Sequence, residues 1–90
     1  MAKSLSDEQV QARIEELEQE ERKLRTDEVE AADADANNQV AHDARRLEAI
    51  RIELDQLWDY LRQRRALRDA GQNPDNALIR DPGTVERYWG

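Results

Sequence analysis

Two leucine-rich stripes at helical spacing, Val10-Ile14-Leu17-Leu24 and Leu47-Ile50-Leu54-Leu57-Leu61, confine this 90-residue chain to a small all-α architecture. Neighbouring members of each stripe stand three, four or seven residues apart, which sets them on one side of an α-helix. Between the stripes lies an acidic, alanine-rich segment, Asp27 to Asn38, whose only large apolar side chain is Val29. The pattern predicts a helical hairpin over residues 1–71, with one helix over about 7–26, a connection over about 27–38 and a second helix over about 39–70.

The ends of both helices carry their own signals. Ser6 is placed as an N-cap with Gln9 three residues on, a capping box, and Leu5 and Val10 have the spacing of a hydrophobic staple. Asp7 and Glu8 then occupy the first turn, where they complement the helix dipole. Glu21 interrupts the first stripe and is expected either in solvent or beside a base of the second helix, such as Arg46 or Arg51. Alanine favours helix past Leu24, so one helix can overrun into the connection, and Asn37-Asn38 is its most turn-like dipeptide. Gly71 is placed as a left-handed cap for the second helix, and Asn73-Pro74-Asp75 discourages continuation. Residues 72–90 read as an extended C-terminal tail with a second break at Asp81-Pro82-Gly83, after which Thr84 to Arg87 can start one short turn carrying Tyr88 and Trp89.

A connection of about a dozen residues suits antiparallel neighbours. Antiparallel packing also sets the acidic start of helix one (Asp7, Glu8) beside the basic end of helix two (Arg62, Arg64, Arg65). Val10–Leu24 and Ala44–Trp58 span equal lengths, so Leu24 is expected near Ala44 and Leu47, and Val10 near Trp58 and Leu61. Trp58 widens the second stripe at its margin, while Ile52 and Tyr60 point well away from it. A helix with apolar residues beyond one seam contacts more than one neighbour, and dimerisation of the coiled-coil hairpin into a four-helix bundle is the expected way to bury them.

Composition narrows the function classes. Charged residues make up 39% of the chain and aromatics 4%, so apolar area is scarce and a lone hairpin gains from a partner. The absence of cysteine excludes disulfides, thiolate metal sites and thiol catalysis. No apolar run approaches a membrane span and the first residues lack a leader-like core, which predicts a cytoplasmic protein. The net charge of −7 disfavours nucleic acid and anionic lipid. That charge lies in residues 1–39, where five bases minus twelve acids give −7, and the remainder is neutral.

The candidate interaction residues are Trp58, Leu61, Arg62, Arg64, Arg65, Arg68, Tyr88 and Trp89. The arginine run invites a phosphate reading, but its place at a helix C-terminus near an acidic helix start explains it structurally. Asp27, Glu28, Glu30, Asp33 and Asp35 at the hairpin tip could hold Mg²⁺ weakly through carboxylate oxygens, and a solvated connection is the plainer reading. In shape, a hairpin with an acidic tip resembles the transcript-cleavage factors that enter the secondary channel of bacterial RNA polymerase. That likeness supplies a second reading, a regulator that engages RNA polymerase or the ribosome through the acidic tip or the arginines. His42 is the only histidine and is expected at the surface. No catalytic arrangement, phosphate loop, metal site or cofactor motif is present, so the sequence reads as a non-enzymatic interaction or structural module, with a homodimer or an unidentified protein as its partner.

Ile14-Glu15-Glu16-Leu17, Glu20 to Arg25, the block Leu54-Asp55-Gln56-Leu57-Trp58-Asp59-Tyr60-Leu61-Arg62-Gln63-Arg64-Arg65-Ala66, Asn73-Pro74-Asp75 and Val85-Glu86-Arg87-Tyr88 carry a resemblance. Through them the chain resembles the small actinobacterial family catalogued as Domain of Unknown Function 2630. The resemblance implies a small bacterial cytoplasmic protein and brings no assigned activity.

Overall fold

The computed structural model describes residues 5–31 and 37–89, and the side chains of 5–26 and 42–85. Three helices follow in order: α1 (Asp7–Ala31), α2 (Asn37–Asp69) and α3 (Pro82–Trp89), with a 3₁₀ turn at Pro74–Asn76. The described residues include no strand. Helix α1 runs on to Ala31 because Asp27-Glu28-Val29-Glu30-Ala31, though unable to extend the stripe, contains nothing that breaks a helix. Asn37 and Asn38, read as turn residues, open α2 instead, since asparagine suits a helix start as well as a turn.

The N-terminal capping box forms as its residue types require: Gln9 N–H donates to Ser6 Oγ at 3.1 Å and Ser6 N–H to Gln9 Oε1 at 2.9 Å. At the far end of α2, Gly71 has φ of 73°, its N–H reaches the Arg68 carbonyl and the Gln72 N–H reaches the Leu67 carbonyl. This pair of bonds is the Schellman closure, and the left-handed residue at its centre is the position glycine serves.

Helices α1 and α2 pack antiparallel, as the short connection demands. Val10, Ile14 and Leu17 from α1 meet Ile50, Leu57 and Tyr60 from α2 in the core, with Leu24, Leu54, Leu61 and Leu67 packed against it. Ion pairs mark the register. Arg13 forks onto Glu53 at 2.6 and 3.1 Å, and Arg46 onto Glu20 with Nη2 at 2.8 Å from Oε1. Glu21 therefore does not meet Arg46 or Arg51; it stays half-buried near Arg25 of its own helix at 3.7 Å, because Glu20 lies on the flank that Arg46 can reach.

The C-terminal segment is where sequence reading and structure part. It folds back along the face of α2 that points away from α1 and gives α2 a second neighbour from within the chain. Gln56, Asp59 and Gln63, at helical spacing, hold it. Gln63 clamps the Leu78 backbone, donating to its carbonyl at 2.7 Å and accepting from its N–H at 3.1 Å. Gln56 donates to the Arg80 carbonyl at 3.1 Å. Asp59, fully buried, receives Arg80 in a two-pronged grip and Gln63 Nε2 at 2.8 Å. Ala77 and Val85 are buried as well.

Asp81-Pro82-Gly83 is a helix start rather than a break. Asp81 caps α3 by accepting from the Thr84 N–H and hydroxyl, and proline fits the first helical position because no partner is needed for the N–H it lacks. Tyr60, expected to face away from the stripe, is 2% exposed, since α1 and the returning segment close over it from both sides. Its hydroxyl accepts from the Leu5 N–H at 3.0 Å. Ile52 is half-buried.

Two measurements check these anchors. Gly71→Ala has open space around its new methyl, so its cost is the left-handed backbone alone; urea unfolding should show a loss of about 1 kcal/mol. Burial pushes the Asp59 carboxyl up, but the hydrogen bonds from Arg80 and Gln63 outweigh it and hold its pKa below the ordinary value of 3.8. A carboxylate depressed in this way stabilises the fold fully above its unfolded pKa and loses that contribution as pH falls through the folded one. Amide protection factors of residues 77–85, corrected for intrinsic exchange, should therefore fall as pH drops below the ordinary carboxylate range, and Asp59→Asn should show low protection of this segment already at neutral pH.

Candidate functional site

α1 and the C-terminal segment divide the circumference of α2 into two unequal arcs. The narrow arc is filled by Tyr60 and Arg64. The wide arc bears Leu47, Leu54, Leu61 and Trp58, the first three spaced by seven residues and half-buried, and Trp58 44% exposed. The interhelical pairs Arg13–Glu53 and Glu20–Arg46 seal the opposite flank of the α1–α2 seam and leave this one uncovered.

At the base of the wide arc lies a groove of about 320 Å³. Trp58 and Leu61 form its apolar wall, Arg62, Arg65 and Arg68 its basic rim, and Asp7 and Gln11 reach in from the start of α1. Five of the eight residues nominated from sequence thus converge on one surface. They do so because Trp58, Leu61, Arg65 and Arg68 recur every three or four residues, with Arg62 one turn beyond Trp58. Asp7, expected beside the basic end of helix two, and Gln11 were not nominated as contact residues; the antiparallel packing of α1 carries both to the groove. Tyr88 and Trp89 fall on α3, with their side chains outside the described residues, as are the carboxylates of Asp27, Glu28, Glu30, Asp33 and Asp35.

Arg64 departs from its neighbours. Its side chain is 8% exposed and ties three segments together: Nε to Asp7 Oδ1 at 2.6 Å, and Nη1 to Asp75 Oδ1 at 3.0 Å and the Pro74 carbonyl at 3.3 Å. The guanidinium also lies 6.0 Å from the centre of the Tyr60 ring. Its charge is held firmly by Asp7 in particular, which raises its pKa from an already high value. Arg68 adds a second bond to Asp7 at 2.9 Å, and together Arg64 and Arg68 keep the Asp7 carboxyl below the usual aspartate range. The expected meeting of acidic helix start and basic helix end is therefore built by Asp7 with Arg64 and Arg68.

Arg62 stands 3.7 Å from Asp59, whereas Arg65 makes no ion pair among the described residues. Among those residues no group of three or more histidines and carboxylates is placed to hold a metal ion, and His42 is exposed. No helix of the described residues is long and apolar enough to cross a membrane.

A two-helix hairpin clasped by its own C-terminal segment, with an indole and arginines around a groove at its base, is the class of protein this fold defines. The chain belongs to the family described as "Protein of unknown function (DUF2630)", whose model matches residues 6–89 and so takes in both the clasp and the groove. Uncharacterized proteins of Mycobacterium tuberculosis and Mycobacterium bovis are 50% identical to it over 50 residues, which is 56% of this chain and 58% of each relative. No solved structure matches it.

The contrast between Arg64 and Arg65 is testable. Arg64→Lys keeps the charge but cannot span Asp7, Asp75 and the Pro74 carbonyl at once, and should lower unfolding stability by about 2 kcal/mol. Arg65→Ala, at an exposed position without an ion pair, should stay within about 0.5 kcal/mol of the parent in the same urea titration.

Proposed function

We propose that this protein is a non-enzymatic protein–protein interaction module whose contact surface is the groove around Trp58. The observation that carries this reading is the exposure of Trp58. Leaving 44% of an indole in water forgoes roughly 2 kcal/mol of burial, in a chain with only four aromatic residues, while Tyr60 two positions on is fully enclosed. An aromatic anchor framed by arginines is also the composition that recurs at the centre of protein interfaces. The groove walls offer an indole, a leucine, arginines, one glutamine and one aspartate already bound to two arginines, a set without a nucleophile paired to a base.

The second reading, a regulator that engages RNA polymerase or the ribosome through its acidic tip or its arginines, draws less support from the arginines. Arg64 and Arg68 are bound to Asp7 and Arg62 lies beside Asp59, which fits a structural use of the cluster better than a phosphate-binding one.

A photoreactive residue in place of Gln11, on the rim, tests the first reading in the native cell. Discrete protein adducts that disappear when Trp58→Ala is introduced are the expected result. An absence of adducts from this position would remove the groove as a contact surface.

A further inference from the structure

The wide arc of α2 has a pattern that matches itself in reverse. Arg51, Trp58 and Arg65 recur every seven residues beside Leu47, Leu54 and Leu61, so the arc presents one leucine row and one mixed Arg-Trp-Arg row over about 27 Å of helix. Its charges are distributed unevenly along the helix axis, with Arg62, Arg65 and Arg68 at one end and, at the other, Glu48 paired with Arg51 at 2.7 Å and half-buried Glu21 at 3.7 Å from Arg25. A parallel two-fold pairing would set the arginine end against itself. An antiparallel pairing sets it against the end of the other copy that holds the Glu48 and Glu21 carboxylates.

The geometry points to a second copy of this chain as the occupant of the Trp58 face, packed antiparallel about a two-fold axis beside Leu54 and Asp55. This inference rests on the groove being a contact surface and names the partner it contacts. In that register Leu54 lies against the axis and Leu47 comes opposite Leu61 and Arg62 of the other copy. Arg51 comes opposite Trp58, a guanidinium over an indole made twice by symmetry. Glu48 and Arg62 lie on the same edge of the arc, and edges of the same kind meet across antiparallel helices, so Glu48 of each copy faces Arg62 of the other. Asp55 stands near the axis with Arg51 of its own helix 3.4 Å away, which offsets the approach of two like charges. Gln56, Asp59 and Gln63, which hold the returning segment, lie on another side of α2, so this pairing gives a four-helix core with the two clasps outside.

Glu48 and Arg62 are both exposed, and because Arg62 also stands 3.7 Å from buried Asp59, the helicity of each variant is followed alongside its mass as a check on the fold. Light scattering over a hundredfold concentration range, with helicity followed in the same samples, should give twice the 10.5 kDa chain mass for the parent. Glu48→Arg and Arg62→Glu should each weaken the dimer about tenfold, because symmetry doubles every lost pair, and the double variant should recover most of the loss. A measurement independent of these charges uses the absence of native cysteine. Mixed Glu48→Cys and Arg62→Cys proteins should form the hetero-disulfide in preference to either homo-disulfide. A helical monomer throughout the range overturns the second copy as partner, and if the Trp58-dependent adducts at position 11 persist, the groove remains a contact surface for a different protein. A dimer without charge rescue and without the preferred hetero-disulfide overturns the antiparallel register.

Discussion

The guanidinium of Arg64 is the charge on which three otherwise separate segments converge. The start of α1 presents Asp7, the 3₁₀ turn presents Asp75 and the Pro74 carbonyl, and Tyr60 lies beneath, so one side chain fixes where α1 begins relative to where α2 ends and where the chain turns back. Burying a guanidinium is unfavourable unless its donors are satisfied, and here both the charge and the fork geometry are matched. Remove this junction and α1 and α2 would still have their apolar seam, but neither the base of the groove nor the path of the C-terminal segment would be defined.

The clasp repeats that logic on the other side of α2. Asp59 is fully buried and stays charged because Arg80 and Gln63 reach both of its oxygens, while Gln63 and Gln56 spend their remaining amide groups on backbone atoms of the returning segment. Polar side chains thus do on this face what leucines do on the other. The difference is specificity: leucines tolerate sliding along the seam, whereas the Gln63 amide fits Leu78 in one alignment only. The clasp covers one side of α2 with the chain's own residues and leaves Trp58 exposed on another.

Much of the scaffold was legible in the residues. The stripes, the Ser6–Gln9 box, the Gly71 cap and the antiparallel packing of the hairpin all follow from local rules of helix geometry, and the structure shows each of them. The family resemblance carried by the block from Leu54 to Ala66 is confirmed by the family match over residues 6–89. The clasp was less legible. Gln56, Asp59 and Gln63 look like an ordinary solvated face, because nothing in a polar residue's identity says whether its partner is water or a backbone amide. Their three- and four-residue spacing opposite the leucine stripe was the available signal. Tyr60 was misplaced for the same reason: its burial depends on a segment that returns from beyond Gly71.

By itself the sequence determined that two amphipathic helices form, where the first starts and the second stops, and that they lie antiparallel, since these depend on residue spacing, caps and the length of one connection. Only the tertiary structure decided which arginine is structural and which lines the groove, and which aromatic is enclosed and which exposed. Arg64 and Arg65 are adjacent and identical in chemistry, and Trp58 and Tyr60 are two residues apart. Their fates differ because the helical rotation between them carries one of each pair into the narrow arc between α1 and the clasp and the other into the open arc. The position of that second wall is a long-range property, set by Arg64 and Asp59 acting on residues that follow the helix, and no window along the chain contains it.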